Sequence, residues 1–142
     1  MTYLGLDLGS KTIGVAISES GIIAHTLTTL RFREDDYNEA LKLIKPLIDE
    51  HQVKIVILGL PKHMNNDIGI RGKISESFRD ELIKNGIDCI LWDERLSTKT
   101  ALQTMAKGSE KRSKQKAKKD ELAAVLILQN YLDYKGANHV TR

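Results

Sequence analysis

Three carboxylates stand at positions where a carboxylate is out of place, and together they could hold a divalent cation. Asp7 lies in an alternating run from Tyr3 to Leu8. The parity that puts Leu4, Leu6 and Leu8 on one face of a strand puts Asp7 on the other, with Gly5 and Gly9. A charge there needs a partner: Lys11 or the turn at Gly9 could supply it, or Asp7 is a metal ligand whose neighbouring glycines leave room for a phosphate. Glu94, in Trp92-Asp93-Glu94-Arg95, follows a strand that reads as parallel, so it falls at the edge where open α/β sheets collect ligands. The plainer role is a surface pair with Arg95. Asp120 shares a helix side with Ala123, Ala124, Ile127 and Tyr131, so a charge points along a face that should pack on the sheet. Capping the helix, with support from its dipole, is the competing role. Oxygen donors without a Cys or His cluster suit Mg²⁺ or Mn²⁺ rather than zinc. His25, His51, His63 and His139 have no ligand spacing, and Cys89 reads as a buried filler in a strand.

The charge distribution adds a binding surface. Formal net charge is only +3, but Lys107 to Lys119 carries seven bases against one acid, leaving 15 bases and 18 acids elsewhere. Lys107, Lys111, Arg112, Lys114, Lys116, Lys118 and Lys119 therefore form a basic run on an acidic body. Clustered bases of this kind neutralise phosphates without reading sequence, although a solvated loop would look the same. We read residues 107–119 as a mobile basic loop.

Hydrophobic periodicity gives the elements that must position these groups. Tyr3 to Leu8, Thr12 to Ser18 and Ile22 to Leu30 read as strands, with Gly9-Ser10-Lys11 as a hairpin turn. The first third is then an antiparallel meander. Asp35 or Asp36 can cap a helix with Ala40, Leu41, Ile44, Leu47 and Ile48 on its face, and Pro46 predicts a kink or early break. Lys54 to Gly59 is a buried strand ended by Pro61. A helix from about Gly69 to Asn85 carries Ile74, Phe78, Leu82 and Ile83, and Gly86 stops it. Ile87 to Trp92 is a fifth strand, Ser97 can cap a short helix ended by Gly108, and a last helix runs from about Lys118 to Tyr134. Alternation in the second half requires crossovers. The fold class is α/β: a mixed five-stranded sheet, three antiparallel strands then two parallel, flanked by helices.

Composition bounds the rest. A chain of 142 residues, 41% hydrophobic and 29% charged, reads as a single domain over 1–142. One cysteine excludes an internal disulfide and suits a reducing cytoplasm. The longest uncharged apolar stretch, Leu122 to Leu132, is too short to span a membrane, and the N-terminus does not read as a signal peptide.

Four segments in this order, GLDLGSKTIGVAIS at 5–18, IVILGLP at 55–61, DERLST at 93–98 and KKDELAAVLILQNYL at 118–132, resemble the YqgF-type family. That family is described as Holliday-junction resolvases and as pre-16S rRNA processing nucleases of the RNase H-like superfamily. The resemblance spans nearly the whole chain and implies an RNase H-like fold. It also implies that the catalytic acids are Asp7, Glu94 and Asp120, holding two cations roughly 3.5–4 Å apart for phosphodiester hydrolysis. Asp7 would then be the bridging ligand. Lys11 and Arg95 are candidates to contact phosphate oxygens, with the basic run holding the strand. The segment after Pro61, KHMNNDIGIRG, departs from the family's more Gly-rich version, and the resemblance assigns no role to Lys62 or Arg71 there.

Two other classes compete. GLDLGSKT also resembles the phosphate-binding strand-turn-strand of sugar kinases and actin-like ATPases, which need two such domains and a far longer chain. A noncatalytic RNA-binding ribosome-assembly factor would bind without metal-dependent turnover. The sequence does not separate a precursor rRNA substrate from branched DNA, since no aromatic-rich stacking surface is visible. Resolving a junction requires a homodimer, whereas trimming an RNA requires only a monomer.

Overall fold

Alternation at period two builds the core of the sheet, and the structure, a computed structural model, describes residues 1–60, 69–93 and 112–140. Strands β1 (Thr2–Leu8), β2 (Thr12–Ser18) and β3 (His25–Arg31) form the antiparallel meander. β4 (Val53–Leu60) then pairs parallel with β1, and β5 (Asp88–Asp93) pairs parallel with β4. The order across the sheet is β3-β2-β1-β4-β5, the mixed five-stranded arrangement expected.

Each sheet face has its own core. Leu4, Leu6, Leu8, Ile13, Val15 and Ile17 turn to one face, where α1 (Tyr37–Glu50) adds Ala40, Leu41, Ile44 and Ile48 and α2 (Gly69–Lys84) adds Phe78 and Leu82. Tyr3, Ala16 and Ile57 turn to the other, against Ala124, Ile127, Leu128 and Leu132 of α3 (Arg112–Val140). Each buried Leu, Ile or Phe is worth about 1.5–3 kcal/mol relative to exposure, so both layers clamp the sheet.

Several boundaries differ from the sequence reading, each for a local reason. β3 starts at His25 rather than Ile22 because Gly21 takes a φ of +79° and the Ser20 hydroxyl accepts from the amides of Ile22 and Ile23, forming a turn. Asp36, not Asp35, caps α1, accepting from the Glu39 amide at 3.1 Å. Pro46 does not end α1, which continues to Glu50. Its ring is exposed, so the carbonyl it leaves without an amide partner can face water. In α2 the buried positions are Gly72, Ser75, Phe78 and Leu82, whereas Ile83 lies past the stripe and is 51% exposed. Gly86, with φ +80°, stops that helix as expected.

The largest correction concerns the basic run. α3 begins at Arg112, not Lys118, so positions 112–119 have helical backbone rather than the mobile loop read from sequence. Beyond Gly108 the run has no Gly or Pro, and Lys, Arg, Gln and Ala are good helix formers. Lys107 and Lys111 lie outside the described residues, as does the short helix expected after Ser97.

Cys89 is buried in β5 as expected. Burial pushes its thiol up to about 12, which keeps it protonated and poorly nucleophilic at neutral pH. Among the described residues, no helix is long and apolar enough to cross a membrane.

Candidate active site

Asp7 stands on the sheet face covered by α3, as its parity requires, and is half-buried. Its antiparallel partner on β2 is Gly14, which pairs with Thr29 of β3. On the other side Leu6 pairs with Leu58, so Asp7 lies level with Gly59, whose partner on β5 is Trp92. With Gly5 and Gly9 along its own strand, Asp7 stands among four glycines. This floor of bare backbone lets α3 come close at Gly5, where an added Cβ would lie 2.7 Å from Leu128 Cβ and 2.9 Å from the Ala124 carbonyl oxygen.

The two partners considered for Asp7, the turn at Gly9 and Lys11, also have contacts of their own. The Gly9 amide donates to the Thr12 carbonyl at 2.7 Å, closing the hairpin turn. Lys11 forms an exposed ion pair with Glu34 at 3.9 Å.

α3 runs antiparallel to β1 above this floor. Tyr3 packs on Tyr131, with ring centroids 6.3 Å apart, and accepts a hydrogen bond from the Lys135 ammonium. Two residues along, Gly5 meets Ala124 and Leu128. Two strand residues advance about 6.7 Å and a helical turn about 5.4 Å, so the next step brings Asp7 level with the turn containing positions 120 and 121. A separate contact fixes that turn. Thr29, on the same cross-sheet row as Asp7, donates its hydroxyl to the Glu121 carboxylate at 2.9 Å.

Asp120 thus belongs by its backbone to the α3 turn beside Asp7, one turn before Ala124 on the buried stripe Ala124, Ile127, Leu128 and Leu132. Ala123 and Tyr131, expected on that stripe, are only half-buried at its flanks. The side chains of Asp120, Arg112, Lys114, Lys116, Lys118 and Lys119 lie outside the described residues, as do Glu94 and Arg95 entirely. β5 ends at Asp93, at the carboxyl edge immediately before Glu94. Among the described residues no group of three or more His, Cys, Asp and Glu side chains is placed to hold a metal ion. The donor chemistry at Asp7, a hard carboxylate oxygen, fits a divalent cation such as Mg²⁺ or Mn²⁺.

Two features escaped sequence reasoning. The sequence pattern did not single out Glu121, and only the fold shows that it ties α3 to β3. We expect Thr29→Val, which removes the donor to this half-buried carboxylate, to cost about 1 kcal/mol and lower Tm by about 2–4 °C. A Tm unchanged in a melting experiment would mean the contact contributes nothing in solution. The second feature is aromatic. Trp92 packs edge-on against Tyr131 at 5.5 Å and against Tyr134 at 5.3 Å, so dispersed aromatic residues do assemble, and Tyr134 is 55% exposed.

Comparison with known proteins places this geometry. Residues 1–134 match the family model described as RuvX, Holliday junction resolvase. A protein of Onion yellows phytoplasma (strain OY-M) named "Putative pre-16S rRNA nuclease" is 49% identical over 133 residues, covering 92% of this chain and 88% of that one. One of the same name from Staphylococcus epidermidis is 44% identical, covering 92% and 94%. The structure of T. thermophilus RuvC in complex with Holliday junction substrate superposes with TM-score 0.68 at 11% identity, covering 97% of this chain and 96% of that chain. Thermus thermophilus RuvC superposes with TM-score 0.61. At that identity the likeness establishes the fold, which is RNase H-like.

Proposed function

The chain belongs to the RuvX family of Holliday junction resolvases, whose members are phosphodiester-hydrolysing nucleases, and on that premise we propose a metal-dependent endonuclease that processes the 5′ end of pre-16S rRNA. It acts as a single nuclease domain over residues 1–142, in the cytoplasm. The observation that carries this reading is the placement of Asp7 among four glycines, level with the α3 turn containing position 120. The rRNA substrate is supported by the names of relatives 43–50% identical to this chain.

Asp7, Glu94 and Asp120 are the acids of the site and would hold the cations, which would supply charge stabilisation at the scissile phosphate and a lowered pKa for water. Asp7 needs a rigid support for this, and β1, paired on both sides, provides it. Gly9, Gly14 and Gly59 present no side chain beside the carboxylate to compete with a phosphate. Lys11 and Arg95 neutralise nonbridging oxygens, Arg95 with two parallel donors. Lys107, Lys111, Arg112, Lys114, Lys116, Lys118 and Lys119 hold the neighbouring phosphates, and the helical backbone from Arg112 sets the spacing of the last five.

This basic segment gives a direct expectation. Replacing Arg112, Lys114, Lys116, Lys118 and Lys119 by Gln should weaken binding and flatten its salt dependence, by about 0.7 per lost phosphate contact in log–log slope for single strands and about 0.9 for duplex DNA. Titration between low and physiological salt reads both numbers. An unchanged slope would assign the affinity to other residues.

A four-way DNA junction is the second substrate, favoured by the description of the family model. The deciding experiment offers the purified protein a precursor rRNA fragment and a four-way junction side by side, with Mn²⁺ or Mg²⁺. RNA cleavage by a monomer supports the proposal. Symmetric junction cleavage by a homodimer replaces it, and binding to either without cleavage reduces the chain to an assembly factor.

A further inference from the structure

Sequence comparison left Arg71 without a role, and the structure gives it one. Arg71 sits in the first turn of α2, where the positive end of the helix dipole makes a cation unfavourable. Its side chain is half-buried and its planar fork serves two acceptors. Nη2 donates to the Leu8 carbonyl at 2.9 Å and Nη1 to the Tyr37 hydroxyl at 3.1 Å.

The Leu8 carbonyl is a telling target. The peptide joining Leu8 to Gly9 directs its N–H at the Thr12 carbonyl on the β2 side. Because a trans peptide points its two polar groups in opposite directions, the Leu8 carbonyl faces away from β2. On that side the pairing of β1 with β4 among the described residues ends at Leu6 and Leu58. Arg71 supplies a donor to this carbonyl, one residue beyond Asp7.

The other arm of the fork closes a loop of contacts around the hairpin turn. The Tyr37 hydroxyl donates to Asp35 Oδ1 at 3.1 Å, and the Asp35 amide donates to the Ser10 carbonyl at 2.8 Å. Asp35 holds a left-handed φ of 59° in doing so. The Phe32 amide donates to the Lys11 carbonyl at 2.9 Å, and the Phe32 ring packs on Tyr37 with centroids 5.8 Å apart. The end of β1 and the turn after it are therefore gripped from α2, from α1 and from the β3–α1 connection, all on the side of the sheet away from α3.

We propose that Arg71 is the positioning residue of the active site, fixing the Leu8–Gly9 peptide so that Asp7 is presented to the cations in one orientation. This deepens the metal-nuclease reading and rests on it. Arg71 acts through the backbone of β1 and needs no contact with substrate. Partners that orient a metal ligand typically contribute about 10–100-fold to metal affinity or turnover, which sets the expected scale.

The test measures Mn²⁺ binding by electron paramagnetic resonance without nucleic acid, alongside cleavage kinetics and thermal melting, in the full chain and in Arg71→Ala, Arg71→Lys and Tyr37→Phe. Arg71→Ala should weaken Mn²⁺ binding and lower kcat, each by about 10–100-fold, with KM for nucleic acid nearly unchanged. Arg71→Lys keeps the charge but not the fork and should recover only part of the loss. Tyr37→Phe should shift the same quantities in the same direction by less. Should Arg71→Ala fail to fold, the last two variants decide by the same readings. A raised KM with Mn²⁺ affinity intact would overturn the inference in favour of direct phosphate contact. Unchanged values in variants of a wild type that binds Mn²⁺ and cleaves would overturn it and leave the nuclease reading standing. A wild type that neither binds Mn²⁺ nor cleaves would remove that reading and the inference with it.

Discussion

Asp7→Asn is expected to abolish cleavage while leaving the fold in place. The substitution is nearly isosteric, so the half-buried site on β1 keeps its volume, and the pairing of β1 with β2 and β4 uses backbone groups alone. The change removes one negative charge and one acceptor oxygen. Loss of a single preorganised electrostatic contact costs about 10²–10³ in turnover, and in the role proposed for Asp7 the loss should reach at least the upper figure. Tm should stay within about 4 °C, which corresponds to 1–2 kcal/mol in a chain of this size. Nucleic-acid binding should persist, since the basic residues remain. Paired measurement of cleavage, binding and melting on the variant separates these quantities. Cleavage at the wild-type rate would refute the role given to Asp7, whatever happened to binding.

Asp7 was legible from sequence because strands alternate strictly. Once Leu4, Leu6 and Leu8 are assigned to a core, the opposite face follows for Asp7, and the structure places it there. The parallel direction of β4 and β5 followed from a similar rule, because crossovers force parallel pairing, whereas the order across the sheet came only from the structure. Helix limits were less visible. Pro46 signals a break, but an exposed ring leaves the helix intact, and the charge of residues 112–119 suggested a loop where intrinsic propensity favours a helix. Long-range polar contacts were invisible. Nothing in the local pattern links Arg71 to Leu8, 63 residues away, or Thr29 to Glu121, 92 residues away. Such pairs are created by the packing of helices on opposite faces, and each braces a segment carrying an acid that the pattern had already singled out.

Gly5→Ala should be the most destabilising of these substitutions. A Cβ built at Gly5 would lie 2.7 Å from Leu128 Cβ and 2.9 Å from the Ala124 carbonyl oxygen. Neither neighbour can swing aside, because one is the first side-chain atom and the other is backbone of α3. The helix must therefore lift or slide as a body. Forced overpacking of a well-filled core costs about 1–3 kcal/mol, and two contacts this short place the variant toward the upper end. That corresponds to a Tm lower by about 6–10 °C. The functional loss should exceed the stability loss. Ala124 is one turn after Asp120, so any displacement of α3 at Gly5 carries the turn at position 120 away from Asp7. Cleavage below the midpoint of melting, where the variant is still folded, should fall by about tenfold or more if catalytic geometry is as exacting here as elsewhere. A folded Gly5→Ala protein with full activity would show that the close approach of α3 to β1 serves packing alone, and that the acids do not depend on it for their spacing.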